Sequence, residues 1–161
     1  MTEYVVTFGT EYRATLGICS IIEARRYHEH ARRVSAWFEK KTGQRLEDST
    51  GDAWTQLPED IRANTDMALS MGEILASVRV FEVGEAKTTP PTMGDDEQLV
   101  KYSGVVWTVA EFPDEWRNPD TFAHQVPAQF YDDLLTAARR LNGGLFVTSP
   151  FFGLRSNIAI K

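Results

Sequence analysis

Hydrophobic residues change their spacing several times along this chain of 161 residues, and the order of the changes limits the folds open to it. β-Branched and aromatic runs typical of strands occur at residues 4–8, 77–83 and 99–112. Helical spacing, in which apolar residues recur every three or four positions, begins after Glu23, after Pro58 and after Pro127. Because strands and helices are grouped rather than strictly alternating, the pattern favours an α+β fold over a doubly wound parallel fold.

Two more short strands are predicted near the C-terminal end, at residues 145–148 and 157–160. The helix before them should end at Asn142, Gly143 and Gly144. Residues 11–22 have an ambiguous pattern, to which we assign no element. We therefore predict one domain over residues 1–161, with a largely antiparallel sheet of about five strands and two to three helices packed on one face.

The first predicted helix is amphipathic and ends near Gly43. Its apolar stripe runs through Ala24, Tyr27, Ala31, Val34 and Phe38. Its other face carries mostly basic residues, namely Arg25, Arg32, Arg33 and Lys40 with Glu29 among them. We interpret this face as an exposed basic surface. The following stretch, residues 43–57, reads as a loop that Trp54 should anchor to the core.

The composition places the chain among ordinary globular proteins, with 42% hydrophobic and 25% charged residues. No apolar run is long enough for a membrane span, and the N-terminal residues lack the features of a signal peptide. Cys19 is the single cysteine, which agrees with a reducing compartment. The expected location is therefore the cytoplasm or an assembled particle.

Charge is unevenly distributed along the sequence. The net charge of −6 argues against a nucleic-acid partner, because Lys and Arg provide the attraction to phosphate backbones. Residues 13–45 nevertheless contain eight basic and three acidic side chains, whereas residues 82–133 contain three basic and eleven acidic ones. This asymmetry predicts association through surfaces of opposite charge.

Two loops are expected to contribute to such an association. Residues 84–97 form the predicted hairpin loop, which ends in the acidic run Asp95, Asp96 and Glu97. Residues 113–126 form a second loop that combines acidic and aromatic residues, with Trp116 as its candidate contact residue.

The three histidines offer the alternative of a catalytic or metal site. His28 and His30 lie two residues apart, so a regular helix points them in different directions. His124 could join either of them, but the spacing of the sequence indicates no third metal ligand. We therefore expect no metal and no cofactor. We also expect structural or peripheral roles for all three histidines.

The leading hypothesis is a non-enzymatic subunit that binds a protein partner or assembles with itself. Head-to-tail contacts between identical subunits generate rings or filaments. Small α+β ring proteins of viral particles are a fold-level analogy for such an assembly. The predicted contact residues are Arg25, Arg32, Arg33, Lys40, Asp95, Asp96, Glu97 and Trp116. Two alternatives remain open: an acidic inhibitor or immunity-type protein that covers a basic enzyme, and a small enzyme acting on RNA or nucleotides through a histidine.

Overall fold

The computed structural model describes residues 3–88 and 103–147. Its described part contains one antiparallel sheet with the strand order β1-β2-β3-β4. The strands are β1 (Glu3–Phe8), β2 (Tyr12–Gly17), β3 (Val78–Thr88) and β4 (Ser103–Ala110). The predicted α+β class and antiparallel pairing are confirmed, with four strands in the described residues instead of about five.

Three long helices accompany the sheet: α1 (Ile21–Thr42), α3 (Glu59–Ser77) and α6 (Ala128–Val147). Short helices lie between them, at α2 (Asp52–Thr55), α4 (Asp114–Arg117) and α5 (Phe122–Gln125), together with a 3-10 turn at Leu46–Asp48. Helix α3 packs against both α1 and α6. None of the described helices has the length and apolar character that crossing a bilayer requires.

Helix α1 has the boundaries that its sequence dictates. Ser20 and Glu23 form a reciprocal capping box at its start, and Gly43 ends it in a left-handed conformation at φ 77°. Tyr27, Val34 and Phe38 of the predicted stripe are buried. The loop that follows is anchored by Trp54, as predicted, since that side chain is 2% exposed and stacks on Phe38.

Strand β2 occupies the stretch to which no element was assigned. Ala14 and Leu16 are fully buried, whereas Arg13 and Thr15 alternate with them on the other face of the sheet. The alternation was obscured because the inward Ala14 is small and the outward Thr15 is only weakly polar. On that outer face Arg13 forms two hydrogen bonds with the carboxylate of Glu82 and stacks on Trp107.

The hairpin between β3 and β4 continues further than predicted. Residues 84–88 are paired with β4, so the strand extends five residues into the expected loop. Gly84 is a site of close approach rather than a loop residue: its N–H donates to the Glu11 carbonyl at 2.8 Å, and a Cβ there would collide with the Thr10 carbonyl. Asp95, Asp96 and Glu97 lie outside the described residues.

Helix α6 passes through the predicted stop. Asn142 leaves helical geometry, with φ −130° and ψ 16°, but the helix resumes and extends to Val147. The strand predicted at residues 145–148 is therefore wrong over 145–147, and the one at 157–160 lies outside the described residues. The kink is held by the buried Asn142 side chain, which accepts from the Cys19 N–H and donates to the Gly17 carbonyl and the Ser77 hydroxyl.

Candidate functional site

A groove runs along the exposed side of α1, between this helix and residues 110–120. It consists of two adjoining cavities of about 370 and 510 Å³ that share Arg33 and Arg117. Helix α1 supplies one wall, because Arg26, Arg33 and Lys40 recur every seven residues and so lie on one stripe of the helix. The other wall follows the chain as it leaves β4 and forms α4.

Four arginines line the smaller cavity, which we call the arginine cleft. Arg26 and Arg33 come from α1, Arg79 from β3 and Arg117 from α4. Two carboxylates, those of Glu29 and Glu111, also line it, and apolar side chains complete the lining: Leu75, Val78, Phe81, Ala110 and Phe112. The lining also contains His30, and with this histidine neutral the lining carries a formal charge of +2.

The arginines differ in how far the protein itself satisfies them. Arg26 donates to the Val78 carbonyl at 3.2 Å, and Arg79 donates to the Ile18 carbonyl at 2.8 Å and lies 3.7 Å from a Glu3 carboxylate oxygen. Within the described residues, Arg33 forms no side-chain hydrogen bond or ion pair, and the buried Nε of Arg117 has no partner. Cationic groups without an internal acceptor are therefore concentrated where the two cavities meet.

His30 also lines the arginine cleft and is 3% exposed. Its Nε2 lies 2.8 Å from the Ala68 carbonyl, which can only accept, so Nε2 carries the proton. Its Nδ1 is buried and has no hydrogen-bond partner among the described residues. Burial, reinforced by repulsion from Arg33 and Arg117, lowers the pKa of His30 to about 4, so the ring is neutral near pH 7.

The larger cavity lies beside Trp37, Lys40 and Asp120. Trp37 Nε1 donates to Asp120 at 2.8 Å, and Lys41 Nζ lies 3.2 Å from the same carboxylate. The hydrogen bond from Trp37, followed by the one from Lys41, lowers the pKa of Asp120. The acidic and aromatic loop is thus fastened to α1, and this part of the acidic region lies beside the basic helix instead of on a separate side.

The structure divides the predicted basic residues into two groups. Arg33 and Lys40 line the groove. Arg25 and Arg32 are exposed but lie on a second stripe, about 80 to 100° away around the helix at 3.6 residues per turn. We call Arg25 and Arg32 the outer stripe. The predicted basic surface is therefore broader than one contact line.

Trp116 does not lie on the surface where a partner contact was predicted. It is 4% exposed and packs against the aromatic rings of Tyr12, Phe81, Phe112 and Phe130, with centroid distances of 5.0 to 6.2 Å. The acidic residues around it suggested an exposed loop, but α4 turns the indole into the core. Its role in the described structure is to hold α4, and with it Arg117, against the sheet.

The sequence interpretation missed Arg26, Arg79, Arg117 and His30 as members of one site. Arg26 and Arg33 have a seven-residue spacing that could have been noticed, and His30 lies on the same side of α1. Arg79 and Arg117 are brought there only by the sheet and by α4, so no local spacing points to them. Among the described residues, no group of three or more His, Cys, Asp and Glu side chains could hold a metal ion.

Comparisons of this chain with protein-family models, with curated proteins and with solved structures found no match. The site is therefore interpreted from its own chemistry, which is that of several fixed cations around a partly apolar cavity. Such a site is complementary to an anionic group.

Proposed function

We propose that this chain is a non-enzymatic subunit that assembles with further copies of itself, using the basic face of α1 against an acidic surface of the next copy. The observation that carries the proposal is that Arg25, Arg32, Arg33 and Lys40 are exposed and that none of them forms an ion pair within the described residues. An exposed pair contributes little, but a set of unpaired like charges favours an acidic partner surface.

The net charge supports a second copy as the partner. A chain with net charge −6 that carries a local cationic face is complementary to its own acidic regions. Because the two surfaces differ, the contact is head-to-tail and generates a ring or a filament. A different acidic protein is the other partner that the same chemistry would accept.

Two sets of acids are candidates for the opposing surface. The sequence-based prediction names Asp95, Asp96 and Glu97, at the end of the hairpin loop. Within the described residues, Asp132 and Asp133 are exposed on the N-terminal half of α6. Helix α6 forms hydrogen bonds with α3 at Met67, Ser70 and Glu73, whereas α1 forms one at Ala68. By contrast, Asp120 already binds Trp37 and Lys41 and is less free to pair with another copy.

Light scattering after size exclusion tests the proposal. At low salt we expect a mass above that of the 18.2 kDa monomer, falling toward the monomer near 1 M salt, where the Debye length is about 3 Å. The double substitution Arg32→Glu, Arg33→Glu should abolish the association. Arg45→Glu serves as a control at a position that is exposed, lies outside the groove and follows α1. A monomer at every salt and protein concentration would contradict self-assembly.

The histidine-dependent enzyme remains a second candidate because His30 lies in the arginine cleft. A neutral imidazole beside four guanidinium groups is a chemically reasonable setting for a phosphate ester. If this candidate is correct, His30→Gln abolishes turnover of a phosphate ester but leaves the assembly unchanged. If the leading proposal is correct, the assembly is lost in the Arg32→Glu, Arg33→Glu variant instead.

A further inference from the structure

The arginine cleft has a cavity and a local charge that the assembly proposal does not require. A flat contact between two proteins would be served by the outer stripe and by Lys40 alone. Three exposed arginines, Arg26, Arg33 and Arg79, and the half-buried Arg117 line a cavity of about 370 Å³. A concave site of this volume suits a compact ligand.

We propose that the arginine cleft binds a phosphate group, either as free inorganic phosphate or as part of a small phosphorylated ligand. Guanidinium groups present planar sets of N–H donors that match phosphate oxygens, often two at a time. The formal charge of +2 on the lining equals the charge of a phosphate dianion in magnitude. Phosphate binding would therefore leave the lining of the cleft nearly neutral.

The unsatisfied groups of the cleft are an independent observation that points to a ligand. Buried donors and acceptors in folded proteins nearly always have partners. The Nε of Arg117, a donor, and the Nδ1 of His30, an acceptor in the neutral ring, are buried and have no partner among the described residues, and both residues line the same cavity. Arg117 can donate to a phosphate oxygen, and the His30 Nδ1 can accept from a phosphate hydroxyl or, once protonated, donate to a phosphate oxygen. The guanidinium of Arg33, between the two cavities, has none either within that part of the chain.

Phosphate binding should be coupled to protonation of His30. Charged groups face the cleft from the elements around it: Arg26, Glu29 and Arg33 on α1, Arg79 on β3, Glu111 after β4, and Arg117 on α4. Helix α3 contributes no charged group to the lining and provides the Ala68 carbonyl that pairs with His30. Burial is the main factor that disfavours an imidazolium, repulsion from Arg33 and Arg117 adds to it, and a bound dianion would offset that repulsion. The pKa of His30 should therefore rise from about 4 when phosphate binds.

Calorimetric titration of the full-length protein with sodium phosphate, and separately with phenyl phosphate, tests the site. We expect one saturable site and, for Arg117→Gln, affinity reduced about tenfold or more, because one charge-assisted hydrogen bond is worth roughly that factor. The matched control is Arg25→Gln, which neutralises an exposed arginine of the outer stripe and should change the affinity less than about twofold. Circular dichroism verifies that both variants are folded.

The two titrants separate the two sources of phosphate. Saturation by both indicates a site for the bare anion, and saturation by phenyl phosphate alone indicates a phosphorylated ligand whose organic part contacts the apolar lining. Absence of saturation with both titrants would overturn the proposal. An equal loss in Arg25→Gln and Arg117→Gln would also overturn it, since binding would then reflect diffuse charge.

Histidine NMR provides a readout that diffuse charge would not produce. The ring nitrogen signals of His30 should show a pKa that is raised by saturating phosphate. The test is also separable from the assembly proposal. Arg25→Glu, Arg32→Glu should weaken assembly and leave phosphate binding intact, whereas Arg117→Gln should do the reverse.

Discussion

Two regions of the described structure differ in how far their polar and charged groups are satisfied within the fold. At the junction of α3 and α6, Arg139 forms two hydrogen bonds of 3.0 Å with the Glu73 carboxylate, and Asn142 forms three hydrogen bonds to neighbouring segments. In the arginine cleft, Arg33, Arg117 and His30 keep groups without a partner in the described residues. The first region is complete as folded, whereas the second has capacity left for another molecule.

The difference matters because both regions cost desolvation free energy, but only the junction recovers it within the fold. Glu73 is 2% exposed, and burial raises its pKa, although the hydrogen bond from Arg139 opposes the rise. Burial in the cleft instead keeps His30 neutral. Substitutions in the junction should therefore act on stability, and substitutions in the cleft should act on binding.

The largest effect is expected for Arg139→Met. Removing the guanidinium leaves the Glu73 carboxylate buried without its cation, which should lower the free energy of unfolding by about 3 to 5 kcal/mol at pH 7. The loss should shrink at acidic pH, because a protonated Glu73 needs no cation. Urea unfolding at pH 7 and pH 5 measures both effects, and Arg140→Met, an exposed neighbour on α6, is the control. A pH-independent loss would contradict the explanation.

Asn142→Ala should be the next most damaging substitution. It removes an acceptor from the Cys19 N–H and a donor from the Gly17 carbonyl and the Ser77 hydroxyl, so we expect a loss of about 3 kcal/mol. Thermal unfolding followed by circular dichroism measures it. Gly143→Ala, one residue further along, meets no atom within 4 Å and should have a small effect. Equal losses in the two variants would show that Asn142 acts only through helix geometry.

His30 predicts a specific pH dependence of stability. Its pKa is about 4 in the folded protein and about 6.5 in the unfolded chain, so the unfolded chain binds the proton first as pH falls. Stability should fall by a contribution on the order of 3 kcal/mol between about pH 6.5 and pH 4. His30→Gln keeps a donor for the Ala68 carbonyl and should remove this contribution. Denaturation series for the two proteins at several pH values test it.

The smallest effect on stability is expected for Arg33→Gln. Arg33 has no ion pair or hydrogen bond in the described residues and shares the cleft with three other guanidinium groups. Removing its charge relieves repulsion, so the free energy of unfolding should stay within about 0.5 kcal/mol of the parent or increase. Chemical denaturation measures it. A loss comparable to that of Arg139→Met would mean that both regions are structural.

The elements that local sequence patterns determine were predicted correctly. The predictions were wrong for residues whose surroundings come from segments distant in the sequence. The stripe of α1 and its end at Gly43 follow from spacing, so the helix and its basic face were predictable. The start of α1 at Ile21, with Ser20 as its cap, was missed because it lies within residues 11–22, to which no element was assigned. Asn142 was interpreted as a stop because of the glycines after it, but its side chain is satisfied by residues from β2 and α3. Trp116 resembled a contact residue because its burial depends on Tyr12 and Phe130, which are far away in the sequence.

The same distinction applies to the candidate site. Arg33 and Lys40 were predicted as basic surface residues, and both line the groove. Arg79 and Arg117 contribute to it only because β3 and α4 meet α1 in the folded protein. A site assembled from three elements cannot be inferred from spacing along one of them.

A charge-exchange experiment tests the central claim, that the unpaired cations of α1 bind acidic groups of another copy. The first variant carries Arg32→Glu, Arg33→Glu. It is mixed in turn with two acid-to-Lys variants, of which one carries Asp95→Lys, Asp96→Lys and the other carries Asp132→Lys, Asp133→Lys. The Arg32→Glu, Arg33→Glu variant alone should be monomeric by light scattering at low salt, and so should the acid-to-Lys variant whose acids form the contact, whereas the other acid-to-Lys variant should still associate. Mixing the Arg32→Glu, Arg33→Glu variant with the correct acid-to-Lys variant should restore the assembly, since opposite charges then face each other again. If the parent protein is a monomer, or if neither mixture restores association, the account is contradicted.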